Sequence, residues 1–169
     1  TRGCFHEEET LMFVRDAMTS DPVTCQAEDS IADVAGIMRS RKIGGIPVLD
    51  GDILAGIVTE TDIIKLLMTK GPSDDLWLPS PLEIIELPVR EFINWENTRK
   101  ALSDIRLKKI ADIMSKPVIT ISPGDDIETA ARRMLEKKID RLCVTENHRL
   151  IGIITRQDIV WSLAGGKDA

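Results

Sequence analysis

The chain has no tyrosine and only two histidines, His6 and His148, among its 169 residues. That scarcity removes most of the side chains used as general bases near neutral pH. Three cysteines, Cys4, Cys25 and Cys143, are too few and too dispersed for a disulfide framework, and no C-x-x-C or Cys/His cluster suggests structural zinc. No stretch approaches the ~20 apolar residues of a membrane-spanning helix, and the opening TRGCFHEEET is polar and acidic, unlike a signal peptide. Basic tracts are also missing: 22 Lys and Arg against 28 Asp and Glu give a net charge of -6, which disfavours nucleic acid and anionic membrane as partners. Neither a G-x-x-x-x-G-K-S/T loop nor a G-x-G-x-x-G fingerprint occurs. These absences point to a cytoplasmic protein that is not an enzyme and requires no cofactor or metal.

What the chain does contain is an internal repeat. Laying Val14 on Ile110, a shift of 96 positions, brings about 17 identities into line over roughly 54 residues. They include Asp16/Asp112, Met18/Met114, Thr24/Thr120, Ile31/Ile127, Met38/Met134, Gly56/Gly152, Thr59/Thr155 and Asp62/Asp158. Each copy continues with apolar residues at helical spacing: Ile31, Val34, Ala35 and Met38, then Ile127, Ala130, Ala131 and Met134. Two short apolar runs around a polar turn follow, IPVLD then LAGIVT in one copy and LCVTE then LIGIIT in the other. Their pattern predicts a hairpin, after which helical spacing returns at Ile63, Ile64 and Leu67, or Ile159, Val160 and Leu163.

The expected fold is therefore α/β in the α+β sense, with two units of strand, helix, strand, strand, helix. A single unit of about 54 residues buries too little to be comfortable alone, so the two copies are expected to pair about a pseudo-twofold axis. Such a pair creates two equivalent clefts for a ligand. The expected divisions are a leader or tag remnant (1–10), a first repeat (11–69), a structured connector (70–109), a second repeat (110–164) and a tail (165–169).

The order D-x-M, P-V-T, helix, I-P-V-h-D and G-I-V-T-E-T-D resembles the CBS (cystathionine β-synthase type) repeat. Its most specific parts are Gly56 to Asp62 and Gly152 to Asp158. The resemblance covers Val14 to Leu67 and Ile110 to Leu163, and the connector between them is similar to the one in a group of small stand-alone CBS-pair proteins. It implies two repeats packed through their sheets, a homodimer, and an adenosine ligand: AMP, ADP or ATP, with S-adenosylmethionine and NAD left open. Regulation of an unidentified protein partner, in the manner of an energy or metabolite sensor, is the implied function. The alternative is a constitutive dimerisation scaffold with degenerate clefts.

By the same resemblance, Asp62 and Asp158 hold ribose hydroxyls, with Thr59 and Thr155 near the ribose or phosphate. A carboxylate accepts two hydrogen bonds from a cis-diol readily. Each T-x-x-D is equally a sound helix start, Thr capping and Asp in the first turn, and the two roles are compatible. Adenine recognition is implied for Thr24, Ile46 and Pro47 in one cleft and for Thr120, Leu142 and Cys143 in the other, against core packing as the plain reading. Cys143 stands where the family usually has Pro. Arg141 and Arg156 are the implied phosphate ligands of the cleft that uses Asp62, since a guanidinium forks onto phosphate. Glu60 at the matching place makes the Asp158 cleft less suited to anions, and Asp140 beside Arg141 offsets some of the positive charge. Surface charge balance is the competing role for both arginines.

In the connector, four prolines and a high apolar content predict an ordered loop, and EFINWENTRKALSDIRLKKI predicts a helix. Trp77, Phe92 and Trp95 suit a cleft cover, a subunit interface or the domain's own core. His148 falls at a hairpin tip beside Asn147 and reads as a turn residue. Cys25 suits core packing, and Asp125-Asp126 reads as a helix start rather than a divalent-ion site.

Overall fold

The computed structural model describes residues 12–69 and 103–164. The readings made for the leader, for most of the connector with Trp77, Phe92 and Trp95, and for the tail lie outside the described residues. In chain order the elements are α1 (Val14–Ala17), β1 (Thr19–Ser20), β2 (Cys25–Gln26), α2 (Ile31–Arg41), β3 (Gly45–Asp50), β4 (Ile53–Thr59), α3 (Glu60–Thr69), β5 (Thr120–Ile121), α4 (Ile127–Lys137), β6 (Arg141–Glu146), β7 (Arg149–Thr155) and α5 (Arg156–Ser162). Residues 103–106 are helical, and Ile110–Asp112 form a 3-10 turn. Strand, helix, strand, strand, helix thus occurs twice, as the periodicity predicts.

Two compact units result, a central one spanning Val23–Pro117 and a terminal one that joins the chain up to Pro22 with the chain from Val118 onward. These units cut across the repeat boundaries. Residues after 102, which the sequence divides between the connector and the second repeat, close the central unit up to Pro117. Ile57 and Ser115 exchange backbone hydrogen bonds of 3.2 and 2.8 Å, and Ala111 N–H donates to the Ala27 carbonyl at 2.9 Å. In the terminal unit, β1 pairs antiparallel with β7 (Thr19 with Ile153, Ser20 with Gly152), and Val14 N–H donates to the Asp125 carbonyl at 2.8 Å. The physical reason is an edge: the hairpin's second strand presents unpaired backbone groups that the short segment satisfies.

Each sheet has a parallel β2–β3 or β5–β6 pair followed by an antiparallel hairpin, giving the orders β2-β3-β4 and β1-β7-β6-β5. Register slips at Val48/Leu49 and at the matching Val144/Thr145, so the irregularity belongs to the repeat. Ser30 and Asp126 cap α2 and α4 by accepting from Asp33 and Thr129 N–H groups. Both helices stop at a left-handed lysine, Lys42 or Lys138. Asn147 (φ 49°) and His148 (φ 64°) make the tight hairpin turn expected of them.

The helical periodicity becomes burial. Ile31, Val34 and Met38 pack with Ile46, Val48 and Val58 in the central core, and Ile127, Ala130 and Met134 with Leu142, Val144 and Ile154 in the terminal one. Full burial of such a side chain is worth about 1.5–3 kcal/mol. Cys25 joins the central core and Cys143 is fully buried; burial pushes their thiols up to about 11 and about 12.

Gly36 of α2 has open space where a side chain would begin. Gly36→Ala should therefore stabilise the protein by about 0.5–1 kcal/mol in urea unfolding. At Gly152 a Cβ would lie 2.6 Å from the Met18 sulfur and 3.1 Å from the Thr19 carbonyl oxygen, so Gly152→Ala should cost about 1–3 kcal/mol by the same measurement. In a Cys4→Ser background, a thiol reagent at neutral pH should label neither Cys25 nor Cys143 until denaturant is added.

Candidate functional site

Thr59 ends β4 and Asp62 lies in the first turn of α3. Strand and helix are contiguous here, so the first free N–H groups of the helix need partners, and these two side chains supply them. Asp62 Oδ2 accepts from Thr59 N–H at 2.8 Å and from Thr59 Oγ at 2.7 Å, while Asp62 N–H donates back to Thr59 Oγ at 3.3 Å. Thr155 and Asp158 repeat the arrangement between β7 and α5 with 2.8, 2.7 and 3.2 Å. The helix-start reading of T-x-x-D is therefore realised at both corners.

The corners differ in access. Asp158 is buried at 9% exposed, whereas Asp62 is half-buried, and its Oδ1 accepts from the Ser115 hydroxyl at 3.1 Å. Ser115, an exposed residue, escaped the sequence reading. The signal was present, since the shift of 96 sets it opposite Thr19, a hydroxyl in both copies.

The residues named for adenine divide by strand face. Ile46 and Leu142 point into the two cores with no exposed surface, so their side chains serve packing. Pro47 and Cys143 are fully buried on the other face of β3 and β6, as strand alternation requires. Thr24 and Thr120 are half-buried; the Thr120 carbonyl accepts from Arg133 Nη1 at 2.6 Å, a contact that no motif predicts.

Arg141 begins β6 directly opposite Thr155, which brings a half-buried cation to the second corner. Arg156 is exposed. Its Nε donates to the Ile139 carbonyl at 3.3 Å and pairs with Asp140 Oδ1 at 3.1 Å. Surface pairs of this kind are worth about 0–1 kcal/mol and exchange partners readily. In the central unit Gly44 and Glu60 occupy the matching places, so that corner has no such cation–carboxylate pair.

A separate open groove of about 660 Å³ lies between α2 and α3, walled by Met38, Ile43, Ile63 and Ile64 with Arg39, Lys42 and Glu60 at its polar positions. Thr59, Asp62 and Ser115 do not line it. Among the described residues no group of three or more His, Cys, Asp or Glu side chains is placed to hold a metal ion. Asp126 serves as a helix cap, and the Thr129 N–H bond holds its carboxyl below the usual range. No described helix is long and apolar enough to cross a membrane.

The family model for the CBS domain matches residues 14–69 and again 110–165. An uncharacterised protein of Methanocaldococcus jannaschii is 36% identical over 155 residues, which are 90% of this chain and 92% of that protein. Some relatives are much longer: an inosine-5'-monophosphate dehydrogenase from the same organism is 26% identical over 92% of this chain, which spans 24% of that enzyme. Solved structures also share the fold. CBSX2 in complex with AMP has a TM-score of 0.64 at 24% identity, covering 90% of this chain and 96% of its own. The CBS domain pair of protein MJ0100, in complex with 5'-methylthioadenosine and S-adenosyl-L-methionine, has a TM-score of 0.66 at 24% identity, covering 92% and 98%. With both copies matched by one family model and a 36% identical relative aligned along nearly its whole length, the chain belongs to the CBS domain family and carries two tandem CBS repeats.

Proposed function

We propose that the chain is a non-catalytic regulatory module that binds an adenosine-type ligand at its T-x-x-D corners, with the Asp62 corner the stronger. The observation that carries this reading is the access of Asp62: its carboxylate is fixed by Thr59, faces the exposed Ser115 hydroxyl, and is less covered than Asp158. A preset carboxylate acceptor costs little ordering on binding, which favours a ribose diol. The adenosine-type ligands of CBSX2 and MJ0100 support the same ligand class.

Thr24 and Pro47 in the central unit, and Thr120 and Cys143 in the terminal one, serve the adenine, with Ile46 and Leu142 contributing backbone. Arg141 and Arg156 are the phosphate-contacting cations, Arg156 after leaving Asp140. Regulation follows if the ligand binds two conformations of the module with different affinity. The two buried free thiols suit a reducing cytoplasm.

A second reading, the constitutive scaffold, draws on one specific observation: Asp62 and Asp158 are already engaged by their own helix caps, so neither corner needs a ligand to be stable. Calorimetric titration of AMP, ATP, S-adenosylmethionine and NAD into the wild type and Asp62→Ala separates the two. The expected outcome is saturable binding of one ligand, lost in the variant, with stabilisation of about 2.7 kcal/mol at a hundred times Kd. No heat from any ligand with folded protein selects the scaffold.

Homodimerisation belongs to the same proposal. Val160, Trp161 and Leu163 at the chain's last described helix are 63%, 52% and 80% exposed, and Ile64, at the place in α3 that matches Val160, is 54% exposed. Covering large apolar side chains on the same helix of both repeats suits a second copy. Trp161→Glu should lower the sedimentation mass from dimer to monomer; an unchanged mass places the interface elsewhere.

A further inference from the structure

We infer that Ser115 is the second acceptor of the ribose diol at the Asp62 corner, an assignment that rests on the adenosine-ligand reading and names a residue it does not contain. The argument is a count of acceptor sites. Asp62 Oδ2 already takes two donors, the N–H and the hydroxyl of Thr59, at 2.8 and 2.7 Å. Its Oδ1 takes the Ser115 hydroxyl at 3.1 Å. Each carboxylate oxygen offers two lone pairs, so Oδ2 is filled and Oδ1 has one left. A cis-diol brings two hydroxyl donors. One finds Oδ1, and the carboxylate has nothing for the other.

Ser115 Oγ is an acceptor placed directly beside Oδ1, the oxygen with the open lone pair. Its proton is directed at Asp62, which turns its lone pairs away from the carboxylate, and its separation from Oδ1 is of the order of that between vicinal hydroxyl oxygens. Ser115 is exposed, so a ligand reaches it. Its main chain is also fixed, because both its N–H and its carbonyl bond to Ile57. Asp62 and Ser115 therefore form a preset pair of acceptors in which the carboxylate polarises the hydroxyl. Thr19, 96 positions earlier, puts a hydroxyl at the same point of the other copy.

The pair predicts how the corner reads the sugar. AMP, 2′-deoxy-AMP and 3′-deoxy-AMP are titrated calorimetrically into the full chain as wild type, Ser115→Ala, Ser115→Thr and Ser115→Cys, with far-ultraviolet circular dichroism and Tm recorded for each. Wild type should bind each deoxy analogue about fivefold or more weakly than AMP. Ser115→Ala should weaken AMP by a similar factor and bind one deoxy analogue as well as AMP, since the second hydroxyl has lost its Oγ acceptor and the lone pair freed on Oδ1 lies on the oxygen that the first hydroxyl already holds. Ser115→Thr should restore the wild-type ratios. Ser115→Cys, which keeps the shape but accepts poorly, should behave as the alanine variant does and covers the case in which that variant fails to fold. Unchanged ratios across the three ligands in the alanine and cysteine variants overturn the assignment while leaving the adenosine reading intact if Asp62→Ala abolishes AMP binding. Absence of AMP binding by the wild type also overturns it, and the wider reading then rests on the other adenosine ligands.

Discussion

Where β4 and β7 carry a glycine, a methionine thioether from a distant part of the chain lies in the space a side chain would have occupied, Met114 against Gly56 and Met18 against Gly152. This close approach lets the segment after each methionine pair with the hairpin edge, Ser115 with Ile57 and Thr19 with Ile153. Without it the short segments have too little backbone pairing to hold them, since β1 has two residues and the central unit's counterpart is a single bridge. Methionine suits the task because its unbranched, polarisable side chain adapts to a narrow contact. Position of the hydroxyl beside Asp62 depends on the same packing.

The T-x-x-D corners show how one pair of side chains holds a structural and a chemical role together. Threonine and aspartate satisfy the start of a helix, which fixes the carboxylate's direction, and only the remaining lone pairs face outward. Function at such a corner resides in what the cap leaves over. Asp62 and Asp158 make nearly identical capping bonds, and their difference in exposure comes from surroundings rather than from the motif.

The repeat, the element order and the hairpin turn at Asn147 and His148 were legible because they depend on local spacing and local backbone preference. Boundaries of the compact units were not. A shift of 96 positions says that Val14 and Ile110 are equivalent, but it carries no statement about which core either one joins, and each packs into the core of the other copy. Asp62 and Thr59 were legible through their motif, whereas Ser115 lies 53 positions from Asp62 and meets it only through that exchange. Ile46 and Leu142 were named from their places in the motif, and strand alternation, which the motif does not state, turns both side chains into the cores and leaves Pro47 and Cys143 on the other face.

Because the central unit is contiguous from Val23 to Pro117 while the terminal unit needs both ends of the chain, synthesis on the ribosome imposes an order on them. Everything the central unit requires has been translated before Val118 is added. The segment around Val14 emerges first of all the described residues but finds its partners, Asp125 and the β7 strand, only near the end of synthesis. Domains complete during translation fold as units in the order they become available. The nascent chain therefore passes through a stage with a finished central unit and an unpaired leading segment, and a stop between Pro117 and β7 leaves a half-protein with one intact Asp62 corner.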